Sequence, residues 1–349
     1  MKTSCRRSGK FLDGKEIIIY TLENEKGVKA EILNLGAAVW SLSVPDRDGV
    51  CRDVVLGYEN LESYFENKEF MGVIIGRHAN RLQDACFELN GIHYELAKNE
   101  ENHHLHGGNK GFHKMIWEGE LAGAEKDVLV LRYFSKAGEE NYPGGLTVEV
   151  AYSLMPDNGL RIDYFAASDE DTVVNLTNHC YFNLSGHDAG DILRHEFLIE
   201  ADCFTPIDES CLPTGVMAPV EGTPMDFRVG RTIQAGLESS AEQIIKGKGY
   251  DHNFVLNSKG DLQQKAAEVF DPVSGRKMEV YTTKPGLQFY SGNHLAGAEM
   301  GKDGVSYGKW SGFCLEAQYF PNSMKHKSFP SPILRKGEEY RHTTIYRFL

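Results

Sequence analysis

Paired cysteines, long apolar runs, helical periodicity and positive charge are all scarce in this chain of 349 residues. The seven cysteines, at positions 5, 51, 86, 180, 203, 211 and 314, are odd in number, scattered, and nowhere form Cys-x-x-Cys. This argues against a disulfide framework or a structural zinc site and fits free thiols in a reducing compartment, so the expected location is cytoplasmic. No apolar stretch approaches the roughly 20 residues of a membrane-spanning helix, and Ile17-Ile18-Ile19 is too short for the core of a signal peptide. Lysine and arginine number 37 against 50 aspartates and glutamates, a net charge of −13. Nucleic acid and anionic membrane surfaces are held by concentrated Lys and Arg, so neither is expected as a partner. His-Glu-x-x-His and the glycine spacing of a phosphate loop are also missing, which removes the common zinc-protease and nucleotide-binding signals.

What the chain has in quantity is period-2 patterning. Phe87 and Leu89 precede Asn90-Gly91, with Ile92, Tyr94 and Leu96 after it, a strong hairpin signal. Residues 16–22, 28–44, 127–134, 146–153 and 160–167 read as strands, the last two joined by the turn Pro156-Asp-Asn-Gly159. Helical signal is confined to two short stretches, 61–67 and 237–245. Many short strands with few helices indicate an all-β fold, a large antiparallel sandwich or barrel with a few short helices. No repeat, linker or composition shift marks a boundary, so the expectation is a single domain over 1–349, with about the first 13 residues as a possible N-terminal extension. Residues 205–231, rich in Pro and Gly, read as a long ordered loop of functional interest.

Two ionisable residues lie in strand-like apolar surroundings: His179 in Thr177-Asn-His-Cys-Tyr-Phe-Asn-Leu184 and Glu316 in Phe313-Cys-Leu-Glu-Ala-Gln318. One imidazole and one carboxylate suffice for general acid–base catalysis without metal or cofactor. Around them are segments suited to a polyol. Gly76-Arg-His-Ala-Asn-Arg81 reads either as a surface turn or as a cluster donating hydrogen bonds to hydroxyls. Tyr250-Asp-His-Asn-Phe254 and Gly286-Leu-Gln-Phe-Tyr-Ser-Gly-Asn293 set aromatic rings beside planar amides and carboxylates, which suits the apolar faces and hydroxyl rim of a sugar. Residues two apart on a strand share a face, so His104 and His106 are candidates for a common ligand or metal. A cupin-like metal site would want a nearby carboxylate, where Lys110 and Gly111 stand instead, so an organic ligand is the stronger reading. Gly107-Gly108 would let backbone approach that ligand closely. Glu316 paired with Asp251 or Asp226 is a glycosidase alternative.

The ordered set Gly76-Arg-x-Ala-Asn-Arg81, Asn102-x-x-Leu-His-Gly-Gly108, Thr177-Asn-His-x-Tyr-Phe-Asn-Leu184, Asp251-His-Asn-Phe254, Gly286-x-Gln-Phe-Tyr-x-Gly-Asn293, Phe313-Cys-Leu-Glu-x-Gln318 and the tail from Gly337 to Arg347 resembles the aldose 1-epimerase (galactose mutarotase) family. The likeness runs from about residue 14 to the end. It implies a single-domain β-supersandwich with an open sugar cleft, and interconversion of the α and β anomers of free hexoses such as galactose and glucose. It further implies Glu316 as general base and His179 as general acid. Sugar contacts are implied for Asn80, Arg81, His106, Asp251 and Gln288, and Tyr181 is added as a neighbour of His179. No metal and no cofactor are implied, and the partner is a small aldose. Monomer and homodimer both stay open, as do the roles of His103 and His104. A non-catalytic sugar-binding protein or a hexose-6-phosphate epimerase on the same fold is the alternative. Asp251 or another carboxylate is expected to favour the His179 imidazolium.

Overall fold

The computed structural model describes residues 2–123, 127–297 and 300–349. Strands dominate, in antiparallel sheets. The largest has nine strands, in the order Glu118–Ala122, Val128–Ser135, Leu146–Leu154, Gly159–Ser168, Glu339–Phe348, Lys277–Thr282, Ala267–Phe270, Glu196–Ile199 and Arg231–Thr232. A five-stranded sheet runs Ala218–Pro219, Cys203–Thr205, Asp251–Val255, Gly286–Tyr290, Cys314–Gln318. Another contains the N-terminal strands Lys2–Leu12, Lys15–Glu23, Lys29–Leu33, Val39–Pro45 and Cys51–Asp53.

The period-2 reading translates directly into packing. In Leu146–Leu154, the side chains of Leu146, Val148, Val150, Tyr152 and Leu154 are buried, and in the paired strand Leu160, Ile162, Tyr164 and Ala166 match them. Each such aliphatic side chain contributes about 1.5–3 kcal/mol on burial. One apolar cluster takes in residues from Tyr20 to Phe348. The expected hairpin is present as Cys86–Leu89 and Ile92–Glu95. Asn90 (φ 54°) and Gly91 (φ 77°) both lie in the left-handed region, as its two-residue turn requires.

The helical expectations are only partly met. Residues 61–67 form a 3₁₀ turn, Leu61–Phe65. Residues 237–245 do not form one helix: Gln234–Leu237 and Glu242–Lys246 are separate, with Ala241 extended between them. Ser239 accounts for the break, its hydroxyl accepting the Ala241 N–H at 3.4 Å. Between Thr205 and Arg231 the chain is mostly irregular, as expected, apart from the short strand Ala218–Pro219. The first residues, 2–12, form an exposed edge strand paired with 15–23.

The nine-stranded sheet buttresses the segments that carry the two ionisable residues. From its C-terminal strand, the Tyr346 hydroxyl donates to the Leu315 carbonyl at 3.0 Å, beside Glu316. The Tyr340 hydroxyl accepts the Leu176 N–H at 2.9 Å, three residues before His179. Two sequence-distant segments are thereby pinned on one rigid support.

Candidate active site

Three adjacent strands set one wall. Asp251 pairs with Tyr290, and Gln288 pairs with Glu316, so the side chains of 251, 288 and 316 lie across neighbouring strands. Gln288 Nε2 donates to Asp251 Oδ1 at 2.6 Å. His179 follows the two-residue strand Thr177–Asn178, whose partner is Ile74–Ile75. Its Nε2 lies 3.7 Å from Glu316 Oε1, with both side chains almost wholly buried. Glu316 Oε2 and Gln288 Oε1 are buried and have no hydrogen-bond partner among the described residues, so both remain available as acceptors.

The opposite wall comes from the turn after Gly76. Asn80 and His106 both have positive φ, 63° and 51°. His106 donates its N–H to the Asn80 carbonyl at 3.2 Å, and its Nδ1 accepts the Asn80 N–H at 3.1 Å. The Asn80 Oδ1 in turn accepts the Arg81 N–H at 2.8 Å. The Arg81 guanidinium is gripped by Glu100 through two bonds, 2.7 and 2.9 Å, and lies 3.5 Å from Asp251 Oδ2. Together these walls enclose an open cleft of about 200 Å³.

Of the residues expected from the sequence, His179, Glu316, Asn80, Arg81, His106, Tyr181 and Asp251 line this cleft. Gln288 stands behind Asp251 and does not line it. Lining residues with no expectation attached include Lys68, Phe70, Glu100, Tyr290 and His294. Tyr290 lies inside a quoted motif and His294 directly follows it, so their proximity was available in the sequence. Phe70 reaches the cleft from a turn clamped by Asn67, which accepts the Met71 N–H at 2.7 Å. Its ring sits 4.7 Å from that of His106 and 5.9 Å from that of His179.

Several expectations are corrected. His104 and His106 do not share a pocket. The left-handed conformation of His106 breaks the strand alternation, and His104 is buried elsewhere between the Ala97 carbonyl and the Tyr142 hydroxyl, both at 2.8 Å. His103 accepts the Asp84 N–H at 3.1 Å and lines a neighbouring cavity with Glu209, Ser210, Cys211 and Lys248. The close approach allowed by Gly107 is to protein: a Cβ there would stand 1.9 Å from the Gly76 carbonyl oxygen. Arg77 is buried, bonding to Ser135, Lys136 and Pro143, so the two arginines of the 76–81 segment have opposite destinations.

Asp251 does not give the expected support to a His179 imidazolium; the carboxylate beside that ring is Glu316, 3.7 Å from Nε2. Burial lowers His179 to about 4, and Asp251 exerts no resolved effect on it. Asp251 instead acts on Glu316, which burial first and then this negative neighbour hold well above the ordinary carboxylate range. Both shifts oppose separated charge, so the pair tends to hold one proton between its two members. Although burial works against its charge, Arg81 is kept protonated by Asp251 and Glu100.

Fold and cleft together define a class: β-sandwich enzymes that act on sugars by proton transfer. A family model described as aldose 1-epimerase matches residues 19–347, and the chain belongs to that family. It is 43% identical to galactose mutarotase of Rattus norvegicus over 322 residues, 92% of this chain and 91% of that one. It is 36% identical to aldose 1-epimerase of Escherichia coli (strain K12) over 339 residues, 97% of this chain and 96% of the other. Among solved structures, galactose 1-epimerase from Lactobacillus acidophilus superposes with a TM-score of 0.87 at 29% identity, covering 100% of this chain and 98% of that chain.

Proposed function

We propose that this chain interconverts the α and β anomers of free hexoses, with Glu316 and His179 as its acid–base pair. The observation that carries the reading is their 3.7 Å separation, both side chains buried, in a cleft that also presents Asn80, Arg81, His106 and Asp251 to a ligand's hydroxyls. Glu316 takes the proton of the anomeric hydroxyl. The bond from C1 to the ring oxygen breaks, its electron pair goes to that oxygen, and His179 protonates it. C1 is then an aldehyde carbon. Rotation about the bond from C1 to C2 offers the other face, and closure runs the same transfers backwards. A proton enters and a proton leaves the pair in each half, so its total is unchanged. No electrons or groups are transferred, and one acid and one base cover every step.

Acid function at His179 requires its protonated form with Glu316 ionised. A sugar hydroxyl donating to Glu316 Oε2, which is otherwise unpartnered, favours that ionised form. His106, Asn80, Arg81, Tyr181 and Asp251 hold the hydroxyls, with Gln288 fixing Asp251, so the open-chain aldehyde recloses before it leaves.

A hexose-6-phosphate is the weaker substrate. The cleft sets Lys68 and Arg81 against Glu69, Glu100, Asp251 and Glu316, a field that opposes a dianion. The free thiols of all seven cysteines support a cytoplasmic location. Among the described residues no helix is long and apolar enough to cross a membrane. Polarimetry on freshly dissolved α-galactose and α-glucose tests the function. Accelerated approach to the equilibrium rotation is expected, whereas binding without acceleration would leave an idle sugar-binding protein.

A further inference from the structure

We propose that Phe70 contacts the substrate and shapes its specificity, its ring serving as a flat apolar platform for the C–H face of the hexose. Among the described residues, only Phe70, Leu105 and Leu295 line the cleft with side chains that carry no polar atom. Of the three only Phe70 is planar, the shape that fits a pyranose face. The other carbocyclic rings of the lining, Tyr181 and Tyr290, are 4% and 9% exposed, whereas Phe70 is half-buried. Its neighbours hold it at angles: the His106 and His113 rings at 4.7 and 4.8 Å are tilted by 58° and 67°, and that of His179 at 5.9 Å by 43°. No ring among the described residues lies parallel to Phe70, so flat stacking is left to a ligand.

The backbone is built to keep the ring there. Phe70 has φ 57°, a left-handed conformation that a bulky side chain adopts only where its surroundings impose it. Buried Asn67 imposes it. The Asn67 carbonyl accepts the Phe70 N–H at 3.0 Å, while its side chain accepts the Met71 N–H at 2.7 Å and donates to the Met71 carbonyl at 3.2 Å. Two residues on, the Gly72 N–H donates to the His179 carbonyl at 3.0 Å, and Asn178 Nδ2 donates to the Gly72 carbonyl at 3.0 Å. Ring and proposed acid are thereby fixed in one frame. Strain kept at an apolar side chain beside the reacting groups points to a use for that side chain.

The reaction supplies the use. C1 must turn about its bond to C2 while the rest of the sugar stays in place, and hydrogen bonds hold only the hydroxyl rim. In galactose the hydrogens on C3, C4 and C5 share one face in both anomers. In glucose the C4 hydrogen lies on the opposite face, so the apolar patch is broken. A flat ring against that face therefore favours galactose over glucose.

This inference rests on the reading of the cleft as a hexose site. Saturation-transfer NMR on equilibrated galactose, with the aromatic region of the protein irradiated, should mark the hydrogens on C3, C4 and C5 most strongly. Protein made with ring-deuterated phenylalanine should lose most of that transfer, because Phe70 is the only phenylalanine of the lining among the described residues. Phe70→Leu should raise KM about five- to tenfold for galactose and about twofold for glucose, with Phe70→Tyr close to the unmodified protein. Transfer that survives ring deuteration, or an equal loss for the two sugars in Phe70→Leu, overturns the platform role and leaves the ring as packing for His106 and His179. The labelled protein carries no substitution, so this outcome is read even where Phe70→Leu does not fold. A protein that interconverts both sugars without such transfer overturns only the platform, whereas one that neither binds nor interconverts them overturns the hexose reading itself.

Discussion

The backbone N–H of Asn80 donates to His106 Nδ1 over 3.1 Å, and this bond sets what the imidazole offers the cleft. With the Nδ1 lone pair engaged, the proton of the neutral ring sits on Nε2, and burial keeps the ring neutral. His106 is thus a hydrogen-bond donor to a sugar oxygen and has no free lone pair for a metal. That matters because His106, His179 and Glu316 do bring potential ligand atoms within 4.8 Å of one another. We expect dialysis against a chelator to leave the polarimetric rate unchanged and added Zn²⁺ not to raise it. An enzyme silenced by the chelator and revived by a metal would contradict this account.

Glu316→Gln and His179→Asn each remove one member of the pair while preserving approximate shape. Each should lower kcat by about 10²–10⁴-fold, the usual span for a positioned acid or base. KM should move much less, since the hydroxyl contacts lie on other residues. Steady-state polarimetry on both variants checks this, and near-normal turnover in either would remove that residue from the chemistry.

Arg81 is locked between Glu100 and Asp251, so its loss has two consequences. Arg81→Ala should raise KM about tenfold or more and lower kcat as well, because positioning and transition-state contacts coincide here. It also leaves Asp251 buried beside Glu316 without its cation, so the melting temperature should fall. Glu100→Gln keeps the guanidinium near Asp251 and should have a smaller effect on both. A wild-type KM in Arg81→Ala would mean that the sugar binds elsewhere.

How much of this was legible in the sequence depended on whether a local rule governed the position. The Asn90-Gly91 hairpin and the Leu146–Leu154 strand obey local geometry and were readable. His104 and His106 were misjudged because alternation assumes extended backbone, and His106 lies at φ 51°. Ser239 split a helix that apolar spacing alone would have continued. Arg77 and Arg81, four residues apart, could be assigned opposite roles only once Ser135 and Glu100 were seen beside them. Glu100 and Phe70 carry no motif of their own and reach the cleft through tertiary placement. Glu316 and His179, 137 positions apart, were paired by chemistry and resemblance, while their burial and opposed proton affinities came only from packing.

Acid sensitivity follows from histidines outside the cleft. Burial holds His78, His113 and His252 down to about 3, and His104 and His195 to about 4. In the unfolded chain the same rings titrate near about 6.5. Between those limits the unfolded state binds more protons than the folded one, so unfolding free energy increases with pH. The stability these neutral rings contribute is therefore complete above about pH 6.5 and is lost progressively as pH falls from there toward about 3. Lys284, buried against Tyr319 and Tyr340 and held well below its ordinary value by burial, acts with the same sign from a higher starting pH. Urea unfolding at a series of pH values should give midpoints that drop steeply between about pH 6.5 and 4.5. Replacing buried His252 by Leu should flatten that slope by removing one titrating ring. Midpoints that stay level through this window, or a His252→Leu protein with an undiminished slope, would show that these rings are not what makes the fold acid-sensitive.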